Sequence, residues 1–253
     1  MRNTMSKFVL TLLTAVVMTT VCHADVQQLC KQFDDQVEAL DVKGAKNTID
    51  AALREDAKSH DVLYRQARIH NILGDQEWQE DKKLALYTKA LDYGNKAIAV
   101  NAKSMGGYVY RAAANGKIAL FKGIFSVASV VNAVRDDATK AIQLNNETPE
   151  RMAAACYILG RAHLNLVKKP KLVRLPLGLG WGNIEDANTY LKKARQLRPN
   201  FITFELEYAR LLVEMELEKD AVAVAQRIAS MQNKEPGDQQ RKQEALQLIN
   251  DLK

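Results

Sequence analysis

The chain has 253 residues, 47% of them hydrophobic and 26% charged, with a formal net charge of +6. Its 12 glycines and 5 prolines are few for this length, and helix-favouring Ala, Leu, Lys, Gln and Glu are plentiful. No run alternates apolar and polar residues as a half-buried strand would, which argues against a β-sheet, and the length provides ample core for one large domain or two small ones.

The first 24 residues read as a secretory leader. Arg2 and Lys7 precede an apolar run of 14 residues from Phe8 to Val21, and Cys22 and Ala24 are small residues at positions −3 and −1 of a cut after Ala24. An uncleaved anchor is the alternative, but the run is shorter than the roughly 20 residues a spanning helix needs. Cys22 is a poor lipidation site because Val21 stands where a small residue is wanted. The expected mature chain is therefore residues 25–253, in the periplasm or outside the cell.

Within it, residues 49–56 (Ile-Asp-Ala-Ala-Leu-Arg-Glu-Asp) close an amphipathic helix. Tyr64 to Leu73 has apolar residues at three- and four-residue spacing. Residues 96–101 (Lys-Ala-Ile-Ala-Val-Asn) close the next helix, and Tyr108 to Lys122 form another. The alternation continues with an ending at 140–145, a helix over Ala153 to Val167, an ending at 193–199, a helix over Phe204 to Met215, and a last helix near Gln239 to Leu252. A small Ala recurs in each ending where two helices must approach closely, and Gly160 stands mid-helix for the same reason. Asn183 is placed to cap a helix that has Glu185 and Asp186 in its first turn.

This alternation resembles the tetratricopeptide repeat, a 34-residue helical hairpin. The equivalent Ala97, Ala141 and Ala194 are 44 and then 53 residues apart. The excess is assigned to insertions at 75–82, 123–134 and 168–183. Within that superfamily the long hairpins of the second half, and the stretch from Asn183 to Phe201 with its Tyr190-Leu-Lys-Lys-Ala-Arg-Gln-Leu-Arg-Pro-Asn-Phe201 ending, resemble the regulator of microtubule dynamics family. The resemblance implies an all-α superhelix of about five hairpins with a C-terminal capping helix. It also implies phospholipid binding, which some relatives show; a microtubule role does not carry over to an exported protein. In such a solenoid each repeat touches only its neighbours, so Cys30 and Cys156 are expected as buried free thiols.

The middle of the chain is basic. From Tyr93 to Ile184 there are 13 basic and 4 acidic residues, against net charges of −4 for residues 25–92 and −1 for residues 185–253. Such a field attracts anions. Tyr108, Arg111 and Asn115 lie along one helical stripe, and Tyr157, Arg161 and Asn165 along another. First helices of tetratricopeptide hairpins line the concave groove, so the two sets are expected to form a ladder there, similar to the carboxylate clamp of some tetratricopeptide proteins. That clamp uses Lys and Asn from three hairpins, whereas Arg provides the planar fork here.

Two segments carry apolar surplus. Ile118 to Val134 has Lys122 as its only charge, and is expected as a core helix or the wall of an apolar cavity. Lys168, Lys169, Lys171 and Arg174 lead into Leu172, Val173, Leu175, Leu177, Leu179 and Trp181. This stretch is expected to fold back over the solenoid and bury its leucines; contact of its basic residues and Trp181 with lipid or another anion is the alternative.

Nothing points to catalysis. There is no His-Glu-x-x-His and no Gly-x-Ser-x-Gly. His60, His70 and His163 lack metal-ligand spacing, and the glycines at 178, 180 and 182 follow no strand. The expected function is a non-catalytic binding scaffold without metal or cofactor, taking a protein or peptide segment in a basic concave groove. The alternative is a carrier or sensor of a lipid or other amphiphilic anion. Nucleic acid is not an expected partner of an exported chain.

Overall fold

The computed structural model describes residues 26–123 and 126–253, so the leader assigned to residues 1–24 lies outside the described residues. Among the described residues there are twelve α-helices and no strand. They are α1 over residues 26–38, α2 Val42–Glu55, α3 His60–Gln76, α4 Glu80–Val100, α5 Met105–Lys122, α6 Ala128–Leu144, α7 Pro149–Val167, α8 Lys171–Arg174, α9 Ile184–Leu197, α10 Ile202–Glu214, α11 Glu218–Ile228 and α12 Asp238–Asp251. In succession α1/α2, α3/α4, α5/α6, α7/α9 and α10/α11 form five hairpins, and α12 covers the last. The first helices α3, α5, α7 and α10 also touch one another in order. This is the tetratricopeptide-like superhelix the sequence implied.

Local signals explain the boundaries. The Asp41 carboxylate accepts from the Gly44 N–H at the start of α2. Thr148 caps α7, with Pro149 and Glu150 in its first turn. The Asn183 side chain accepts from the Asp186 N–H at 3.0 Å and caps α9, as its position in the sequence predicts. Gly123, at φ 85°, ends α5 in a conformation that an L side chain resists. For that reason Ile118 to Val134 is two helix ends joined by a turn instead of one apolar helix.

The long period is absorbed differently from expectation. Residues 77–79 form a short turn between α3 and α4, and the surplus around 75–82 extends those helices to 17 and 21 residues. Among the described residues, the connection between α7 and α9 holds an inserted structure, made of α8 and a 3₁₀ turn at Leu175–Leu177.

The core is a file of patches between successive helices. Phe33, Ile49 and Ile69 lie at one end; Met105, Cys156, Phe201 and Phe204 in the middle; Leu191, Leu211, Ile228 and Ile249 at the other. Cys30 and Cys156 are buried and free. Ala97, Ala141 and Ala194 are fully buried.

At Gly160 a Cβ would come within 2.8 Å of Leu191 Cγ and 3.1 Å of the Leu191 backbone nitrogen. An exposed helical Gly→Ala change gains about 1 kcal/mol. Here overpacking outweighs that gain, because the opposing atoms are a branch point and backbone. Gly160→Ala is expected to lose about 1–2 kcal/mol in urea unfolding. A more stable variant would show that α7 and α9 have room to separate.

A candidate groove along the first helices

The inner surface of the superhelix is a groove of about 830 Å³, lined by α1, α3, α5, α7, α10, α12 and the turn before α12. Its two ends approach each other. Ile72 and Asp75 of α3 border the same small hollow as Glu235, Pro236 and Arg241. The turn at 234–238 is rigid. The buried Asp238 carboxylate accepts from the Lys234 and Glu235 N–H groups, both at 2.8 Å, while Arg241 donates to Asp238 Oδ1 at 2.8 Å and to the Pro236 carbonyl at 3.2 Å.

Eight basic and seven acidic residues line the groove, so the basic groove expected from the sequence is corrected to a surface of mixed sign. Of the 13 basic residues from Tyr93 to Ile184, Lys117, Arg151 and Arg161 line the groove. Groove cations are paired, across helices in Arg68 with Asp34 at 3.0 Å, Lys117 with Asp75 and Arg210 with Glu244 at 2.7 Å, and locally in Arg151 with Glu147 at 2.7 Å and Arg210 with Glu207 at 3.2 Å. The first two tie one hairpin to the next, and the Arg210–Glu244 pair ties α10 to α12.

The two polar stripes separate. Tyr157, Arg161 and Asn165 line the groove. Arg161 Nη1 donates to the Tyr157 hydroxyl at 3.1 Å, while its buried Nε has no hydrogen-bond partner and stands 3.6 Å from Glu207. Tyr108, Arg111 and Asn115 do not line the groove. Arg111 faces its own hairpin partner, donating to both Asp137 oxygens of α6 at 2.8 and 2.6 Å and to Asn95 of α4 at 3.0 Å. Asn115 is buried, and the Tyr108 hydroxyl donates to the Ala102 carbonyl at 3.2 Å. The expected ladder therefore does not form. Arg111 meets α6 as Gly160 meets α9, so Arg111 corresponds to Gly160, and Ala112, which lines the groove, corresponds to Arg161. One residue on a helix is a turn of about 100°, enough to exchange the faces.

The inserted connection also divides the residues assigned to it. Arg174 is buried and donates to the carbonyls of Lys169 at 3.0 Å, Leu179 at 3.3 Å and Gly182 at 3.2 Å. Trp181 Nε1 donates to Asn132 at 2.8 Å, its ring meets His163 edge-on, and Arg135 lies over its face. These two residues hold the segment together and are not free to meet a ligand. Lys168, Lys169 and Lys171 are exposed. Of the expected buried leucines only Leu179 is buried; Leu172 is 83% exposed and Leu175 51%.

Sequence reasoning missed three groove residues. Arg198 lies 3.7 Å over the Phe201 ring and makes no ion pair among the described residues. Burial, with Arg68 adding to it, holds its guanidinium below the usual arginine value. Asn71 is buried and donates to the Ala67 and Tyr110 carbonyls, leaving its Oδ1 without a partner. Glu207, buried at 3% exposure, sits between Arg161 and Arg210. Each was hidden in an ordinary helix pattern; only Arg198, beside Pro199 at a helix end, was conspicuous in sequence.

His163 anchors the far end of the insertion. Its Nδ1 accepts from the Asn183 N–H at 3.2 Å, which requires the neutral Nε2–H tautomer. Burial lowers its pKa, with Asp186 at 3.9 Å opposing and Arg135 assisting. The unfolded chain takes up the proton first, near pH 6.5. The stability linked to neutral His163 is therefore full above about pH 6.5 and declines as pH falls through the window below it; buried His70 shifts the same way. His163→Gln is expected to flatten this decline in urea unfolding between neutral pH and about pH 5. An unchanged pH profile would remove His163 from the account.

Similarity to other proteins agrees with this architecture. A thermophilic tetratricopeptide protein of Thermus thermophilus superposes with a TM-score of 0.60 at 19% identity, covering 88% of this chain and 99% of its own. The pilF protein of Pseudomonas aeruginosa superposes with a TM-score of 0.51 at 15% identity, covering 91% and 88%. At these identities the likeness is one of fold. Among curated proteins none matches the sequence. Residues 24–253 match the family described as regulator of microtubule dynamics protein 1-3, and the chain belongs to that family.

Proposed function

We propose that this protein is a non-catalytic scaffold that holds an extended segment of a partner protein in its groove, and that it does so after export. The observation that carries this reading is unmet hydrogen-bonding capacity on a preformed concave surface. Arg161 Nε and Asn71 Oδ1 are buried without a hydrogen-bond partner, although Arg161 Nε stands 3.6 Å from Glu207, and both belong to residues that line the groove. An unmade hydrogen bond at a buried polar group costs about 1–3 kcal/mol, and a side-chain shift that turned either atom towards a ligand would recover part of it. The mixed lining favours a segment with charges of both signs over a uniformly acidic one. The tetratricopeptide-like fold supports protein partners in general, and most of the titratable groups of the groove are engaged in ion pairs. Export rests on the leader-like first 24 residues.

Photo-crosslinking tests the reading. A photoreactive residue at Ala113 or Ala162, on the groove floor, should trap a discrete protein in cells, and one at the outward-facing Lys193 of α9 should not. With that protein in hand, Arg161→Ala should weaken binding roughly tenfold to a hundredfold, the worth of a charged hydrogen bond. Adducts only from Lys193 would sink the groove.

One observation favours a second reading, an amphiphile carrier. Leu120, Val131 and Val134, from the apolar stretch of the third hairpin, border the groove beside Ile158 and Leu166. Native mass spectrometry of gently purified protein should then show a stoichiometric lipid, on a chain beginning at Asp25. An apo mass would leave the groove to a protein.

A further inference from the structure

The first helices α3, α5, α7 and α10 stack in order, and each folds back into its hairpin partner. All first-to-second turns therefore fall on one edge of the solenoid. The Lys117–Asp75 ion pair, joining the C-terminal halves of α5 and α3, shows this alignment directly. Of the eleven exposed large hydrophobic residues among the described residues, nine lie in or beside these turns; the exceptions are Val100 and Leu246.

The two middle turns are in contact. Ala119 and Val131 of the third hairpin pack with Leu166 and Leu179 of the fourth. Around this shared base, Phe121, Leu172, Val173, Leu175 and Leu177 are exposed, with Leu172 the most so, and Leu120 is exposed where the edge meets the groove. Lys122, Lys168, Lys169 and Lys171 surround them. Lys168 reaches within 3.9 Å of Glu214, and the other three make no ion pair among the described residues. No acidic residue occurs from Arg151 to Ile184. The outer turns differ, carrying Asp41, Glu77 and Glu216.

We infer that this central edge docks on an anionic membrane surface, with the leucines and Phe121 entering the headgroup boundary and the lysines meeting lipid phosphates. Apolar burial and cationic attraction are the two terms of peripheral binding, and both are present in one patch. A protein partner would call for a shaped apolar pocket; these side chains instead stand out beside lysines on a convex turn. The segment needs no ordering on contact, since Arg174 already ties its carbonyls and Leu179 plugs its base. The edge meets the groove at Leu120, Ala119, Val131 and Leu166, while Phe121, Leu172, Val173, Leu175, Leu177 and the lysines lie outside it.

Cosedimentation tests this on the chain from Asp25 to Lys253. Vesicles of pure phosphatidylcholine are compared with vesicles containing an equal part of phosphatidylglycerol, at low and high salt. The protein should pellet with the second kind only, and less at high salt. Lys168, Lys169 and Lys171 changed together to Ala should lower partitioning roughly a hundredfold, at about fivefold per lysine. Leu172→Asp with Leu175→Asp should abolish it. These side chains are exposed, so thermal unfolding should be unchanged. Arg161→Ala, in the groove, should pellet as wild type. Wild-type protein that stays in solution with phosphatidylglycerol vesicles would overturn the inference. So would equal pelleting with both lipids, or edge variants that pellet undiminished.

Discussion

Close approach of neighbouring helices at small side chains is the constraint on which the rest of this structure depends. A Cβ at Gly94 would meet Arg111 Cβ at 2.8 Å, and one at Gly160 would meet Leu191 Cγ at the same distance. Ala97, Ala141 and Ala194 are fully buried at the corresponding endings. Each hairpin alone has an uncovered apolar face, and only the next hairpin covers it. Where backbones touch, the helices cannot slide, and the angle between successive hairpins is set. That angle, repeated along the five hairpins, curls the stack until the turn at 234–238 comes beside α3.

The curl gives the groove its chemistry. Residues far apart in sequence, Asp75 and Glu235 among them, border one hollow. Cations meet anions from neighbouring helices or from the same helix, and most of the charge on the inner surface is spent in these bridges. Such partly exposed pairs add modestly to stability. Among the described residues they leave Arg198 without an ion pair, and Arg161 Nε and Asn71 Oδ1 without a hydrogen-bond partner, in a groove of nearly balanced charge. The outer edge follows the opposite logic. Its lysines have few acids to pair with and its leucines have no hairpin to cover them.

Helix order, the five hairpins, the capping role of α12, the Asn183 cap and the small residues at crossings were all legible in the sequence, because each depends on residues a few positions apart. The placement of the surplus length was not. Extending α3 and α4 leaves the same composition as inserting a loop between them; only the stacking of both helices on their neighbours favours the extension.

The face on which a side chain lies relative to the groove was decided by tertiary structure alone. Arg111 and Arg161 have the same Asn four residues on, and the sequence makes them equivalents. The packing of α5 on α4 and α6 turns Arg111 outward to Asp137, whereas Gly160 takes that contact in α7 and leaves Arg161 facing inward. Arg174 and Trp181 likewise look like exposed ligands in the sequence, but become the pins of their own segment once its carbonyls need donors. Periodicity along one chain determines that a residue shares a stripe with another. The direction in which that stripe points depends on the neighbouring helix, and no single stripe contains that information.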